Sequence, residues 1–111
     1  MLVTHIEYSR RMDDSDLADC LAALGHVTRL RIVKELLAAP GGLPAGKVAG
    51  SLGVRQNSLS PHLATLSRCG LISGARTGRE IIYAARTANL RSLLKQLYDS
   101  FVLPLKENGQ S

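Results

Sequence analysis

Residues 45–84 read AGKVAGSLGVRQNSLSPHLATLSRCGLISGARTGREIIYA, and the spacing of the apolar residues changes within this stretch. Before residue 70 they recur every three or four positions, which is the spacing of the buried face of a helix. Gly53 divides this part into a short helix and a longer one, because glycine is typical of helix ends. Segments 71–76 and 79–84 instead read as strands, and Thr77-Gly78 between them is a turn signal. The stretch predicts two helices joined by a tight turn and followed by a hairpin.

The segments on either side add three more helices. The acidic run 13–16 supplies N-cap and first-turn carboxylates for a helix that Gly25 ends. A second helix is expected from about residue 26 to 39, Pro44 belongs in the first turn of the third, and Pro104 closes a last helix that begins near residue 88. The predicted fold is mostly α with a small β-hairpin wing, a winged helix-turn-helix of order α-α-α-α-β-β-α. One domain, 13–105, is expected between flexible tails at 1–12 and 106–111.

Length and composition agree with one small helical domain. The 111 residues are 45% hydrophobic but include only three tyrosines and one phenylalanine as aromatics, so the core must consist of Leu, Val, Ile and Ala. The longest uncharged run, 56–67, is shorter than the roughly 20 residues that span a bilayer, and no signal peptide is recognisable. Two cysteines are too few for a disulfide framework. These features predict a cytoplasmic protein that does not enter the membrane.

The positive charge of the chain is concentrated in one segment. Residues 50–91 contain six arginines and a single acidic residue, Glu80, and this imbalance accounts for the net charge of +5. Elsewhere basic and acidic residues are equal in number. Because the arginine guanidinium grips phosphate as a fork, a basic patch confined to one part of the chain indicates a face that binds a polyanion.

The second helix of a helix-turn-helix enters the major groove of DNA, and its N-terminal residues reach base edges. In this chain that segment begins RQNSLSPH at residue 55, and its outer face carries no carboxylate that phosphates would repel. Gln and Asn can pair with adenine through two hydrogen bonds, whereas Arg favours guanine or phosphate. The residues expected to contact double-stranded DNA are Arg55, Gln56, Asn57, Ser58, Ser60, His62, Thr65 and Arg68 on the helix, with Arg76 and Arg79 in the wing.

Five separate motifs resemble the ArsR/SmtB family of winged-helix repressors. The matching stretches are 24–32, 48–54, 56–63, 69–72 and 76–84, and together the resemblance spans about residues 17–103. It implies a homodimer that pairs through its first and last helices and represses a promoter until an effector binds. Repression is implied by the resemblance alone, and the effector is unknown.

The metal ligands of the family are missing from their usual positions. Where metal-sensing members carry a Cys-x-Cys box, this sequence has Pro44 and Gly46, which offer no ligand atoms. Asp99 is the only residue of ligand type in 90–103, where zinc-sensing members carry theirs, and no cysteine follows Cys69. A soft metal needs two to four thiolate or imidazole ligands in one place. We therefore expect no metal site and no cofactor.

The first and last predicted helices each carry a stripe of apolar side chains. Together these stripes hold more apolar surface than a winged helix of this size can bury in its own core. They predict an obligate homodimer that reads two operator half-sites about one DNA turn apart. The residues expected at the dimer interface are Leu17, Leu21, Leu24, Leu90, Leu94, Leu97 and Phe101.

Cys20 and Cys69 each have two interpretations. Cys20 shares a helix face with leucines, so it is either a small buried hydrophobe or a thiol at the dimer interface that senses oxidants or electrophiles. Cys69 follows the second helix of the helix-turn-helix, the recognition helix, and has the same two interpretations. Between them, Cys20 is the better sensor candidate, since its modification would disturb the first helix.

The sequence offers little for an enzyme. It has no glycine-rich phosphate loop, no paired carboxylates and no nucleophile with a base at motif spacing. The function predicted is a sequence-specific, DNA-binding transcriptional regulator, a repressor released by a thiol-reactive species or a soft metalloid. The alternative is a winged-helix module that binds a generic polyanion or a protein and senses no effector. Specific duplex binding should survive excess random DNA, whereas generic polyanion binding should not.

Overall fold

The five helices and two strands predicted from the sequence occur in the predicted order. The computed structural model describes residues 12–107. Its elements are α1 Asp14–Leu24, α2 Val27–Leu37, β1 Leu43–Pro44, α3 Ala45–Leu52, α4 Gln56–Arg68, β2 Ile72–Thr77, β3 Glu80–Ala85 and α5 Thr87–Leu97, after which a π-helical turn, Tyr98–Val102, leads into α6 Leu103–Glu107. This confirms the mostly helical winged fold. None of the helices in these residues combines the length and hydrophobicity that a bilayer crossing requires.

Side-chain caps explain where the first two helices begin. Asp13 precedes α1, and its Oδ1 accepts a hydrogen bond from the Asp16 backbone N–H at 2.8 Å. His26 does the same for α2, because its Nδ1 accepts from the Thr28 N–H at 3.1 Å. Such caps satisfy backbone donors that have no partner inside the helix. Gly25 separates the two helices, as predicted.

A third strand was not predicted. β1 pairs antiparallel with β3, which gives a three-stranded sheet of order β1-β3-β2. The two residues of β1 are too few to show the alternation of apolar and polar side chains that predicts a strand. The second of them is Pro44, and proline is uncommon in strands. Pro44 is also the N-cap of α3 and not part of its first turn, so that assignment was wrong by one position.

The turn of the wing lies one residue later than predicted. Thr77 pairs with Glu80, so Gly78 and Arg79 form the two-residue turn. Arg76 therefore pairs with Ile81, two positions beyond Arg79, and a shift of two residues keeps each side chain on its own face of the sheet. In the observed register Arg79 stands at the tip of the wing, next to exposed Thr77 and Glu80.

The core lies between the helices and the base of the sheet. Its largest fully buried side chains are Ile32, Leu36, Val48, Leu59, Leu66, Leu71, Ile72 and Leu93. A buried amide fixes α5 against the end of α4, because Asn89 Nδ2 donates to the Gly70 carbonyl at 2.6 Å. The helix-turn-helix and the wing are therefore attached to one packed body.

Pro104 does not close the last helix, contrary to the prediction. The π-helical turn precedes it, and there the Leu103 N–H donates to the Tyr98 carbonyl five residues back. Pro104 then occupies the first turn of α6, directly after the π-helical turn. The helix reaches Glu107, two residues into the segment expected as a C-terminal tail. Residues 1–11 and 108–111, which hold most of both expected tails, lie outside the described residues.

We expect Gly42→Ala to destabilise the fold by about 1–3 kcal/mol, because alanine would be strained there and would collide with β3. Gly42 has φ +89°, and a Cβ added to it would lie 2.7 Å from Ile82 Cγ2 and 2.9 Å from the Tyr83 carbonyl oxygen. Urea unfolding measures the loss. Gly41→Ala is the matched control, since a Cβ at Gly41 meets nothing within 4 Å. Equal stability of the two variants would contradict this account.

Candidate nucleic-acid interface

A short hydrogen-bonded turn sets the angle between α3 and α4. Gly53 ends α3 with φ +73°, a conformation that glycine adopts without strain. The Val54 N–H donates to the Ala49 carbonyl at 3.0 Å, and the Gly53 N–H donates to the Gly50 carbonyl at 3.3 Å. These bonds satisfy carbonyls at the end of α3 and direct the chain into α4. The tight turn predicted from the sequence is confirmed.

One face of α4 is buried and the opposite face is open. Leu59, Leu63 and Leu66 are at most 3% exposed and hold the helix against the core. Of the ten residues predicted to contact DNA, His62 and Thr65 are half-buried and the other eight are exposed. The structure thus displays the predicted α4 residues on one accessible helix, with Arg76 and Arg79 on the adjacent wing.

Some of the residues predicted to contact DNA already have hydrogen-bond partners within the chain. The Ser58 hydroxyl donates to the Arg55 carbonyl at 2.7 Å, and the Thr65 hydroxyl donates to the Pro61 carbonyl at 3.0 Å. Arg68 reaches the Thr65 oxygen only at 3.5 Å. Within residues 12–107, Gln56, Asn57 and Ser60 have no such bond, so their polar groups remain available to a ligand.

α4 and the wing form the two walls of an open cleft of about 610 Å³. Gln56 and Ser60 line it from α4, Arg79 from the wing and Lys47 from α3. Lys47 is a cleft residue that was not predicted from the sequence. Its place in the first turn of α3, the helix that crosses the DNA backbone in a helix-turn-helix, was the signal that could have found it.

The charge of this surface favours an anion. Arg55, Arg68, Arg76 and Arg79 are exposed, and among residues 12–107 none of them is in a salt bridge. Among the described residues that line the cleft, Glu80 is the only acidic one. Guanidinium groups without a carboxylate partner can each neutralise a phosphate.

The His62 side chain contacts Arg29 and His26 and does not extend freely into solvent. Its Nδ1 lies 3.3 Å from Arg29 Nη1, and its ring lies 4.6 Å from that of His26, measured between ring centroids. Partial burial, and then the nearby His26 and Arg29, lower the pKa of His62 below its usual 6.5. Neutral His62 can accept a hydrogen bond from Arg29, whose Nε also donates to the Ala23 carbonyl at the end of α1 at 2.6 Å. His62 thereby links the recognition helix to the junction of α1 and α2.

The predicted dimer residues divide into three groups. Leu17 and Leu90 are 7% and 9% exposed and belong to the core of the single chain. Leu24 and Leu97 are half-buried. Leu21, Leu94 and Phe101 are 39%, 61% and 62% exposed. No residue from 98 to 105 is buried, so the end of the last helix has an uncovered apolar surface.

Cys20 lies in the core, and Cys69 is half-buried just after α4. Burial, followed by the neighbouring Cys69 thiol, raises the pKa of Cys20 to about 11. At neutral pH its thiol is therefore almost entirely protonated, and protonated thiols react slowly with oxidants and electrophiles. This environment favours the buried-hydrophobe interpretation of Cys20 over that of a freely reactive sensor.

Comparisons with known proteins agree with this geometry. Residues 24–74 match the family described as a helix-turn-helix domain. The HTH-type transcriptional regulator CmtR of Mycobacterium tuberculosis strain H37Rv is 36% identical over 86 residues, which cover 78% of this chain and 71% of CmtR. CmtR is thus named as a transcriptional regulator.

Solved structures give the same result for the fold. An ArsR-like transcriptional regulator from Rhodococcus sp. RHA1 is 32% identical, has a TM-score of 0.68, and is matched over 87% of this chain and 95% of its own. A homodimeric winged helix-turn-helix DNA-binding domain, Mb0332 of Mycobacterium bovis, has a TM-score of 0.64 over 83% of this chain and 91% of its own, and at 21% identity it supports the fold alone. The chain therefore belongs to the ArsR family of winged helix-turn-helix transcriptional regulators.

Proposed function

We propose that the chain is a homodimeric repressor that binds an operator duplex with two half-sites and is released from it by an effector. One observation carries the DNA-binding part of this proposal. The exposed, carboxylate-free face of α4 lies beside an arginine-bearing wing, and both border the same open cleft. An α-helix fits the major groove, and a basic hairpin beside it can follow the adjacent backbone.

The residues divide by the part of DNA that each would contact. Gln56 and Asn57 lie in the first turn of α4, where side chains reach base edges, and their amides suit adenine. Arg76 and Arg79 lie on the wing, where guanidinium groups would hold phosphates. Lys47 would add a phosphate contact from α3. Base contacts set sequence preference, and phosphate contacts set affinity and its salt dependence.

The dimer part of the proposal is supported by exposed apolar side chains. Leu21, Leu94 and Phe101 lie uncovered on α1 and on the last helix. Pairing these helices around a twofold axis would bury them and would place two α4 helices on one side of the dimer. The Mycobacterium bovis structure, which has a similar fold, is homodimeric.

Repression and its release depend on this dimer geometry. A bound dimer would block access to a promoter, and a change in the spacing of the two α4 helices would release it. A bias of about 1.4 kcal/mol between two dimer geometries already changes affinity tenfold. The proposed effector is a thiol-reactive species or a soft metalloid, and the proposed site of action is the cytoplasm.

In vitro selection from a pool of random duplexes tests the proposal. We expect enrichment of an inverted repeat whose half-sites lie about one helical turn apart. A selected pool with no shared motif would contradict sequence-specific binding and would support the generic polyanion-binding alternative.

We expect Arg76→Ala and Arg79→Ala to weaken binding to all duplexes alike. Each substitution should reduce the slope of log affinity against log salt concentration by about 1, since one phosphate contact is lost. Fluorescence anisotropy at several salt concentrations measures this slope. Arg31→Ala is the control, because Arg31 is exposed on α2 and lines a separate groove to which neither α4 nor the wing contributes a residue. An unchanged slope in both wing variants would remove the wing from the interface.

A further inference from the structure

The Arg29 side chain joins three helices. It belongs to α2, and its Nε donates to the Ala23 carbonyl of α1 at 2.6 Å, while its Nη2 donates to the Ala22 carbonyl at 3.5 Å. On its other side, Nη1 lies 3.3 Å from Nδ1 of His62 on α4. One guanidinium group therefore contacts both the proposed dimer helix α1 and the recognition helix α4.

The C-terminal end of α1 fixes one side of this guanidinium group. The last carbonyls of a helix have no partner within the helix, and the helix dipole favours a cation beside them. The last turn of α1 contains no basic residue of its own, and Arg29 supplies the positive charge from α2. The position of the half-buried Arg29 side chain is therefore set by α1.

The contact between Arg29 and His62 restricts α4 in a way that apolar packing does not. Three leucines bury the inner face of α4, but the burial of apolar surface is not directional. A hydrogen bond weakens steeply when its distance or angle changes. The Arg29–His62 bond therefore limits the tilt and rotation of α4, and these determine where Gln56 and Asn57 point.

We propose that Arg29 is a positioning residue for sequence-specific DNA binding, which sets the orientation of the recognition helix relative to the dimer without touching DNA itself. This inference rests on the proposed function, since it concerns operator recognition. α1 also carries Leu21, an exposed side chain of the proposed dimer contact. A change in the dimer would therefore reach α4 through Arg29 and His62.

The link requires neutral His62. A protonated imidazole has two donors and no acceptor, and its charge would repel the guanidinium group. The titratable and charged groups that act on His62 are His26 and Arg29, and the other elements add none within residues 12–107. Burial, and then these two basic groups, hold the pKa of His62 below its usual 6.5. The link is therefore intact at neutral pH and is lost as the pH falls below 6.5 through the lowered pKa.

The first test measures the ratio of the dissociation constant for random duplex to that for the selected operator. Lysine in Arg29→Lys keeps the charge but lacks the fork that bonds α1 and His62 together. We expect this variant to lower the ratio about tenfold, the effect of losing one hydrogen bond to a charged group. Arg31→Lys is the matched control on α2 and should keep the parent ratio, since Arg31 is exposed and lines a groove without α4 residues. Far-UV circular dichroism confirms that both variants are folded.

The pH dependence of the same ratio separates positioning from a merely structural role. In the parent chain the ratio should fall as the pH is lowered from about 7.5 to about 5, because His62 is protonated. In Arg29→Lys, where the link is already lost, it should not fall further. A phosphate contact by protonated His62 would strengthen binding to both duplexes alike and would leave the ratio unchanged.

The second test contains no DNA. NMR follows the His62 ring and the backbone amides of Ala22 and Ala23 as the pH is lowered, in a His26→Asn chain. Asparagine keeps a side-chain cap for α2 and removes the neighbouring ring that also titrates. We expect the α1 amides to shift with the same midpoint as the His62 ring, and the addition of Arg29→Lys should abolish this shift.

Two results would overturn the proposal. One is an Arg29→Lys chain with the ratio and the pH dependence of the parent. The other is a titration of His62 to which the end of α1 does not respond. A parent chain that binds operator and random duplex equally would instead contradict the proposed function, and the NMR titration would still decide whether Arg29 links the two helices.

Discussion

Leu94→Glu should leave the chain folded and abolish specific DNA binding. Leu94 is 61% exposed on α5, so a charge there costs the single chain little. In a dimer paired through the last helices the same charge would be buried at the interface twice, without a partner. The affinity for the selected operator should then fall to the affinity for random DNA, a loss of about 4–10 kcal/mol.

Sedimentation velocity and far-UV circular dichroism separate the two effects of this substitution. The variant should sediment as a monomer and keep the helical spectrum of the parent. Leu37→Glu is the matched control, since Leu37 is 47% exposed at the end of α2 and outside the proposed interface. A Leu94→Glu chain that remains dimeric and binds its operator would show that dimers form elsewhere.

The double substitution Gln56→Ala/Asn57→Ala should remove most of the sequence preference. Each amide that pairs with a base through two hydrogen bonds contributes about 1–3 kcal/mol of discrimination, so together they should cost about 2–6 kcal/mol on the selected operator. Affinity for random duplex should hardly change, because the phosphate-binding arginines remain. Parallel anisotropy titrations of the two duplexes give the difference.

Ser67→Ala serves as the control on the same helix. Ser67 is exposed but lies three turns after the first residue of α4, beyond the segment expected to reach bases. It should retain the preference of the parent chain. If the double variant lost affinity equally on operator and random DNA, the assignment of base reading to Gln56 and Asn57 would be wrong.

The fold could be predicted from the sequence where local chemistry determines structure. Gly53 ends α3 in a left-handed conformation that glycine adopts without strain, and Asp13 caps α1 within one turn. β1 and the continuation of the helix past Pro104 depend on distant or unusual pairing. β1 exists only because β3 lies beside it, and Pro104 is accommodated only because a π-helical turn precedes it.

The candidate site shows the same division. Helical spacing predicted which side chains share the outer face of α4, and eight of the ten predicted DNA contacts are exposed. Contacts between distant segments could not be predicted, among them Arg29 with His62 and Cys20 with the Cys69 carbonyl. The entry of Lys47 into the cleft likewise requires the packing of α3 against α4.

The most direct measurement of the central claim is the ratio of two dissociation constants at one physiological salt concentration. One is for the selected operator and the other is for a scrambled duplex of the same length and composition. A sequence-specific dimer should bind the operator at least about 10³-fold more tightly, with two chains per duplex. Equal dissociation constants for the two duplexes would contradict the account, because phosphate contacts alone do not distinguish sequences.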